Sequence, residues 1–330
     1  MSVVAGWMFR SSRPLPSGDE PGSDHESEFG WRDSGQGRDD LPIMSAARKA
    51  AAMRAGVMPR LPRPARRRVM VVANQKGGVG KTTTAVNMGA ALAIHGLNVL
   101  LIDLDPQGNA STALGVDHHR DVPSVYDVLT GEMSIVEAAV PVLDVPNMAC
   151  VPATIDLAGA EIDLVSMDHR ETRLSRALAA SELEGVDYVF IDCPPSLGLL
   201  TVNALTAAGE VLIPVQCEYY ALEGLTQLLH TIELVRSRLN TKLDVSTILL
   251  TMYDGRTKLA EQVAQEVRRH FGPRVLRTTI PRSVRLSEAP SHGQTVLTYD
   301  PGSPGALSYL EAGRELARAA VVEEPATPAQ

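Results

Sequence analysis

Short apolar runs recur along this chain at Val69–Ala73, Val99–Asp103, Tyr188–Asp192, Val211–Val215, Thr247–Met252 and Val275–Ile280. Each has strand length, and as a set they are apolar on both faces. Strands of that kind suit the interior of a parallel sheet covered by helices on each side. Between them the apolar positions switch to a helical spacing, at 82–96, 197–208, 221–240, 259–271 and 306–320. Pro194-Pro195-Ser196 stops one strand and offers Ser196 as the cap of the next helix. This alternation predicts an α/β fold with a doubly wound, mostly parallel sheet and helices on both faces. Its ligand site belongs at the carboxyl ends of the strands. The chain has no internal repeat, so one domain is expected over residues 69–330.

The first 68 residues break the pattern. They are rich in Gly, Ser, Pro and charge and too poor in apolar residues to offset chain entropy, so a disordered tail is expected over 1–68. Within it, Met44–Gly56 could form a short basic helix, induced by an anionic partner. Net charge is −8 over 330 residues, but it is unevenly spread. Residues 1–43 sum to −4, whereas 44–68 hold eight basic residues and no acid. Between Arg236 and Arg285 eleven basic residues face four acids. An acidic body therefore carries two basic regions.

Apolar content is 44%, enough for a buried sheet, yet no run is long enough to span a bilayer. The N-terminus lacks the pattern of a secretory signal. Cys150, Cys193 and Cys217 are scattered, as buried thiols of a reducing compartment would be, with no paired spacing for zinc or a disulfide. A soluble cytoplasmic protein is expected.

The chemistry concentrates in residues 74–84, Asn-Gln-Lys-Gly-Gly-Val-Gly-Lys-Thr-Thr-Thr. A glycine-rich turn between a strand and a helix is a phosphate cradle, because backbone N–H groups and the helix dipole both favour an anion there. Lys81 would reach the β- and γ-phosphates of a nucleotide, and the Thr82 hydroxyl would hold Mg²⁺. Gly77, Gly78, Val79, Gly80 and Thr83 complete the loop. The ordinary P-loop pattern fails at one position, since Gln75 stands where its first glycine should be, and a second lysine, Lys76, opens the loop. Two strand ends should meet it. One carries Asp103 and Asp105, of which the first also reads as a strand-end acid pairing with a lysine and the second as a turn residue before Pro106. The other carries Asp192, placed to act as an outer partner of Mg²⁺ and its waters.

The segments KGGVGKTTT (76–84), LLIDLDPQGNAS (100–111), VFIDCPPSLGLLTVNAL (189–205) and IPRSVRLSEAPSHG (280–293) resemble those of ParA/Soj-type chromosome and plasmid partition ATPases, the deviant branch of the P-loop NTPases. The likeness spans roughly residues 69–320; the tail inherits nothing from it. It implies ATP and Mg²⁺ as cofactors, with Lys76, Lys81 and Asp105 in catalysis and Thr82, Asp105 and Asp192 around the metal. Lys76 would reach across an ATP-dependent homodimer to the partner's phosphates, and Gly77 would sit where close packing of the dimer leaves no room for a side chain. Asp105 would position the attacking water. Hydrolysis would be slow until a ParB-type centromere-binding protein stimulates it. The resemblance also implies non-specific binding of double-stranded DNA at the nucleoid by Arg256, with Arg285 and Arg282 as further contacts and Arg268 and Arg269 less certain.

Other classes fit less well. A MinD-like positioning ATPase needs a basic amphipathic C-terminal helix, whereas this chain ends LARAAVVEEPATPAQ (316–330). Iron–sulfur relatives need paired or bridging cysteines. A binding module with a dead site would have lost Lys81, Thr82 or Asp105, and all three are present.

Overall fold

The computed structural model describes residues 42–218 and 221–322. Its first strand, β1 (Arg68–Val72), runs beneath the glycine-rich loop and leads into α2 (Lys81–Ile94), which is preceded in the chain by α1 (Pro42–Arg54). The chain continues through β2 (Val99–Asp103), α3 (Asn109–Ala113), α4 (Val125–Thr130), α5 (Ile135–Ala138), β3 (Val140–Pro141) and β4 (Met148–Val151). Then come α6 (Leu157–Val165), α7 (Arg173–Ala180), β5 (Tyr188–Asp192), α8 (Leu199–Ala207), β6 (Glu210–Gln216) and α9 (Ala221–Arg238). The last elements are β7 (Asp244–Tyr253), α10 (Lys258–Phe271), β8 (Val275–Pro281), α11 (Val284–Glu288), α12 (Val296–Tyr299) and α13 (Pro304–Val322).

The strands form one sheet in the order β3-β4-β2-β5-β1-β6-β7-β8, parallel except for the β3–β4 pair. Alternation along the strands sends side chains to two apolar layers. Met70 and Val72 of β1 pack with α2 and α13, while Val71 faces the layer covered by α4 and α6 to α10. The expected doubly wound sheet is therefore present. Chain order reverses around β1, which has β5 on one side and β6 on the other. A crevice at the carboxyl ends of these strands is where such folds bind ligands.

Two local expectations are corrected. Ser196 does not cap α8: Gly198 does, in an extended conformation and with no side-chain cap. A Cβ on Gly198 would fall 1.8 Å from the Glu161 carboxylate, so a larger residue there would require that flexible side chain to move aside. The expected disorder of 1–68 does not extend over 42–68. There α1 docks through Ala50, and Met53, Met58 and Leu61 pack on the α2–α13 layer. Ala and Met at helical spacing supply a narrow apolar stripe that the high charge of the segment concealed. Residues 1–41 lie outside the described residues.

Candidate functional site

The loop after β1 is pinned before it turns. The buried Asn74 donates its amide to the Pro214 carbonyl at 2.8 Å and accepts the Lys76 N–H at 3.0 Å, tying the loop to β6. Gly78 and Gly80 have φ of 74° and 87°, in the left-handed region that side chains rarely enter. A Cβ at Gly77, Gly78 or Gly80 would meet nothing within 4 Å, so the loop curls around open space. Gly80 caps α2 without any side-chain acceptor, which leaves the first-turn N–H groups facing the cradle. Val79 points the other way, fully buried, and its carbonyl accepts the Thr251 hydroxyl at 2.9 Å. This arrangement fits an anion and nothing apolar.

The expected acids and the lysine converge on that cradle. Asp103 and Asp192 face one another across the β2–β5 register, both fully buried. Asp103 accepts the Ser111 N–H at 2.8 Å, its hydroxyl at 2.7 Å and the Asp105 N–H at 3.2 Å. Burial still pushes its carboxyl up to about 6. Neither carboxylate oxygen of Asp192 finds a hydrogen-bond partner among the described residues. Burial, and next the charge of Asp103, raise it well above the ordinary range, and the nearby Thr82 hydroxyl and Lys81 only partly offset this. The Lys81 ammonium is lowered by burial and supported by the charges of Asp192 and Asp105. Asp105 is nearly buried, and its carboxylate accepts the Gln107 N–H at 3.0 Å.

An orphaned buried carboxylate beside a threonine hydroxyl and a lysine fits a divalent cation. Among the described residues no cluster of His, Cys, Asp or Glu is arranged to hold a metal alone. Mg²⁺ would therefore depend on Thr82, these acids, water and a ligand's own phosphates, which is its usual mode.

Lys76 lies at the mouth, its ammonium 3.4 Å from Glu218. The same carboxylate meets Arg282 at 3.4 Å and the Gln216 side-chain amide. Next to the loop opens a cavity of 600 Å³, lined by Thr82, Thr83, Met252, Pro281, Leu286 and Tyr309 among others. Met252 holds φ 50°, a costly value for a residue with a side chain, and such strain gathers at functional sites. Thr251, Met252 and Tyr309 escaped sequence reasoning. Tyr309 bonds the Thr84 hydroxyl at 3.2 Å from 225 residues away, a contact that no local spacing signals.

The expected DNA-contacting arginines stand outside the cradle, at the same edge. Arg256 is 90% exposed on the loop after β7 and grips Asp254 in a fork, 2.9 Å to one oxygen and 2.8 Å to the other. That fork holds the Asp254 carboxyl down to about 2. The Arg282 N–H donates to the Tyr253 carbonyl at 3.3 Å, which brings the two loops side by side. Arg285 lies beyond, between Glu288 at 2.9 Å and Asp300 at 3.4 Å. Arg268 donates to the Arg277 carbonyl and Arg269 pairs with Glu266 along α10.

A family model described as an AAA domain matches residues 67–245. The sporulation initiation inhibitor protein Soj of Bacillus subtilis is 54% identical over 250 residues, covering 76% of this chain and 98% of that protein. The chromosome partitioning protein ParA of Caulobacter vibrioides is also 54% identical over 250 residues, covering 76% of this chain and 93% of its own. Among solved structures, a Mycobacterium smegmatis protein described as cobyrinic acid a,c-diamide synthase, with ADP and magnesium bound, is 43% identical with a TM-score of 0.66. That match covers 77% of this chain and 95% of the other. The cell division ATPase MinD of Pyrococcus furiosus is 26% identical with a TM-score of 0.63, covering 76% and 99%.

Proposed function

The chain belongs to the Soj/ParA family of chromosome-partitioning ATPases, and we propose that it is an ATP-driven switch for holding DNA. In this reading two copies close around ATP and Mg²⁺, the closed dimer binds double-stranded DNA without sequence preference at the nucleoid, and a ParB-type partner triggers hydrolysis and release. The observation that carries it is the pairing of an uncapped glycine cradle with the orphaned carboxylate of Asp192.

This reading gives each residue of the site a role. Backbone N–H groups of 77–82 and the Lys81 ammonium bind the phosphates, and Lys81 is held in place by Asp192 and Asp105. Thr82 and Asp192 would hold the cation, which when bound would supply neutralisation of the charge that develops on the phosphates. Asp105, fixed by its bonds to Gln107 N–H and its own N–H on Asp103, orients the attacking water. The cavity between Met252, Pro281 and Leu286 accepts the base and ribose.

Lys76 rests on Glu218 and must leave it to reach a partner's phosphates. The pair is 35% and 46% exposed, so it costs little to break. Turnover would therefore be slow until closure delivers the lysine and a partner protein completes the site. Arg256 and Arg285, exposed beside this edge, supply phosphate contacts. One such patch is weak, and two aligned by closure add.

Partition is supported over the amide-synthase description by the relatives at 54% identity, which carry partition and sporulation names. The MinD-like alternative shares the fold at 26% identity, but it needs an amphipathic C-terminal face free to meet a membrane, and Leu310 and Leu316 of α13 are buried against the core.

Sedimentation of the full chain with Mg²⁺ and a non-hydrolysable ATP analogue, or with ADP, tests the switch. The analogue should double the mass and ADP should not, and Lys76→Ala should weaken the analogue-bound pair. One mass in every nucleotide state would sink the proposal.

A further inference from the structure

The two basic regions, far apart in sequence, meet at one turn. Asp300 holds Arg285 Nε at 3.4 Å. Two residues on, Gly302 abuts α1, so close that a Cβ there would touch the Ala50 methyl at 3.9 Å. Ala50 is buried at that contact, and Lys49 reaches Glu311 of α13 at 3.5 Å.

Beyond α1 the chain is strapped down. The Pro59 carbonyl accepts a 2.6 Å bond from the buried His95 ring, and the Leu61 N–H donates to the His95 carbonyl at 3.2 Å. Met58 and Leu61 pack inward. Arg48, Arg54, Arg60, Arg63, Arg66 and Arg67 are all exposed. Some have neighbours: Arg63 lies 3.8 Å from Asp187 and Arg67 donates to the Leu183 carbonyl at 3.1 Å. Such exposed contacts are weak and leave guanidinium N–H groups facing outward.

We propose that residues 42–68 form a second phosphate-binding surface for duplex DNA, extending the Arg285 side of the first and acting in every nucleotide state. This rests on the DNA-binding reading above. Seven of the eight basic residues in 44–68 are arginine, the side chain whose planar fork matches a phosphate. A lipid surface fits poorly, because it needs an exposed apolar face. Here that face of α1 is spent on α13, and Val57 is the only large apolar residue exposed in the described part of the strap.

Independence from nucleotide follows from position. His95 anchors the strap at the end of α2 opposite the cradle, a 14-residue helix. At the helical rise that is about 20 Å away. The released, ADP-bound subunit would thus keep a weak, salt-sensitive hold on DNA and stay near the nucleoid between cycles.

The experiment measures fluorescence anisotropy of a labelled random-sequence duplex with the full chain, across a salt series, with ATP·Mg²⁺ and with ADP·Mg²⁺. The triple variant Arg54→Gln, Arg60→Gln, Arg66→Gln is compared with the same three changed to Lys, and basal ATP turnover reports folding. Each lost phosphate contact removes about 0.9 from the slope of log affinity against log salt, so the Gln triple should lose up to about 2.7 in both nucleotide states. The Lys triple should keep the slope. An unchanged slope in the Gln triple, or no wild-type binding with ADP, overturns the proposal, as does an effect confined to binding of phosphatidylglycerol vesicles. Failure of the underlying reading looks different: ATP would give no affinity above ADP, and Arg256→Glu would change neither.

Discussion

Replacing Asp192 by Asn should make the ligand-free protein more stable while disabling its site. The wild-type carboxyl is fully buried, unpartnered and opposite Asp103, so ionising it is unfavourable until a cation arrives. A buried polar group without a partner costs about 1–3 kcal/mol, more when charged, and Asn keeps the shape without the charge. We expect a gain of about 2 kcal/mol at pH 8, or roughly 4 °C in melting temperature for a domain of this size.

The pH dependence gives a second handle. A carboxyl raised in the folded state stabilises that state fully below its unfolded value and loses the contribution as pH rises through the folded one. Asp103, pushed up to about 6, and Asp192, raised further by burial, both behave this way. The advantage of Asn should therefore be small near pH 4.5 and grow toward pH 8. With ATP and Mg²⁺ at a hundred times the dissociation constant, wild type should gain about 2.7 kcal/mol. The variant should lose the Mg²⁺-dependent part. Differential scanning fluorimetry across pH, with and without ligand, reads all three effects. A variant less stable than wild type at pH 8 without ligand, or an advantage that does not shrink in acid, would refute the reasoning.

Lys81→Ala removes a charged phosphate contact of about 1.5–3 kcal/mol, so titration calorimetry should show ATP binding weakened roughly tenfold to a hundredfold. Asp105→Ala should bind ATP normally but release phosphate about a hundredfold more slowly, the usual loss for a group that handles the attacking water. It should also persist as a DNA-bound dimer in gel filtration with ATP. Gly115→Ala tests the scaffold alone: a Cβ there would lie 2.9 Å from the Gly293 carbonyl oxygen, at φ 62°, and unfolding should show a loss of about 2 kcal/mol or more.

The central strands were legible because burial on both faces leaves an unambiguous apolar run. Tyr188–Asp192 and Val99–Asp103 match their expected bounds residue for residue. The stretch between Asn109 and Ala180 was not. β4 is only Met148–Val151, flanked by Asn147 and Pro152, and β3 is the two-residue edge Val140–Pro141. Neither is long enough to set up a period. The cradle was legible because glycine, lysine and threonine are each demanded by local backbone or phosphate chemistry. Its walls were not: Thr251 and Tyr309 reach the loop through the tertiary fold, and the Lys76–Glu218–Arg282 link spans three separate elements. The docked strap was hidden by its own charge, since a few Ala and Met contacts anchor a segment whose composition reads as solvated.

The most direct test of the switch is binding of the full chain to random-sequence duplex DNA with ATP, with ADP and without nucleotide, in wild type and Arg256→Glu. The expected result is a strong, steeply salt-dependent gain with ATP that Arg256→Glu abolishes, above a weak floor common to all three states. Equal affinity in every state, or an ATP-dependent gain that survives Arg256→Glu, would contradict it.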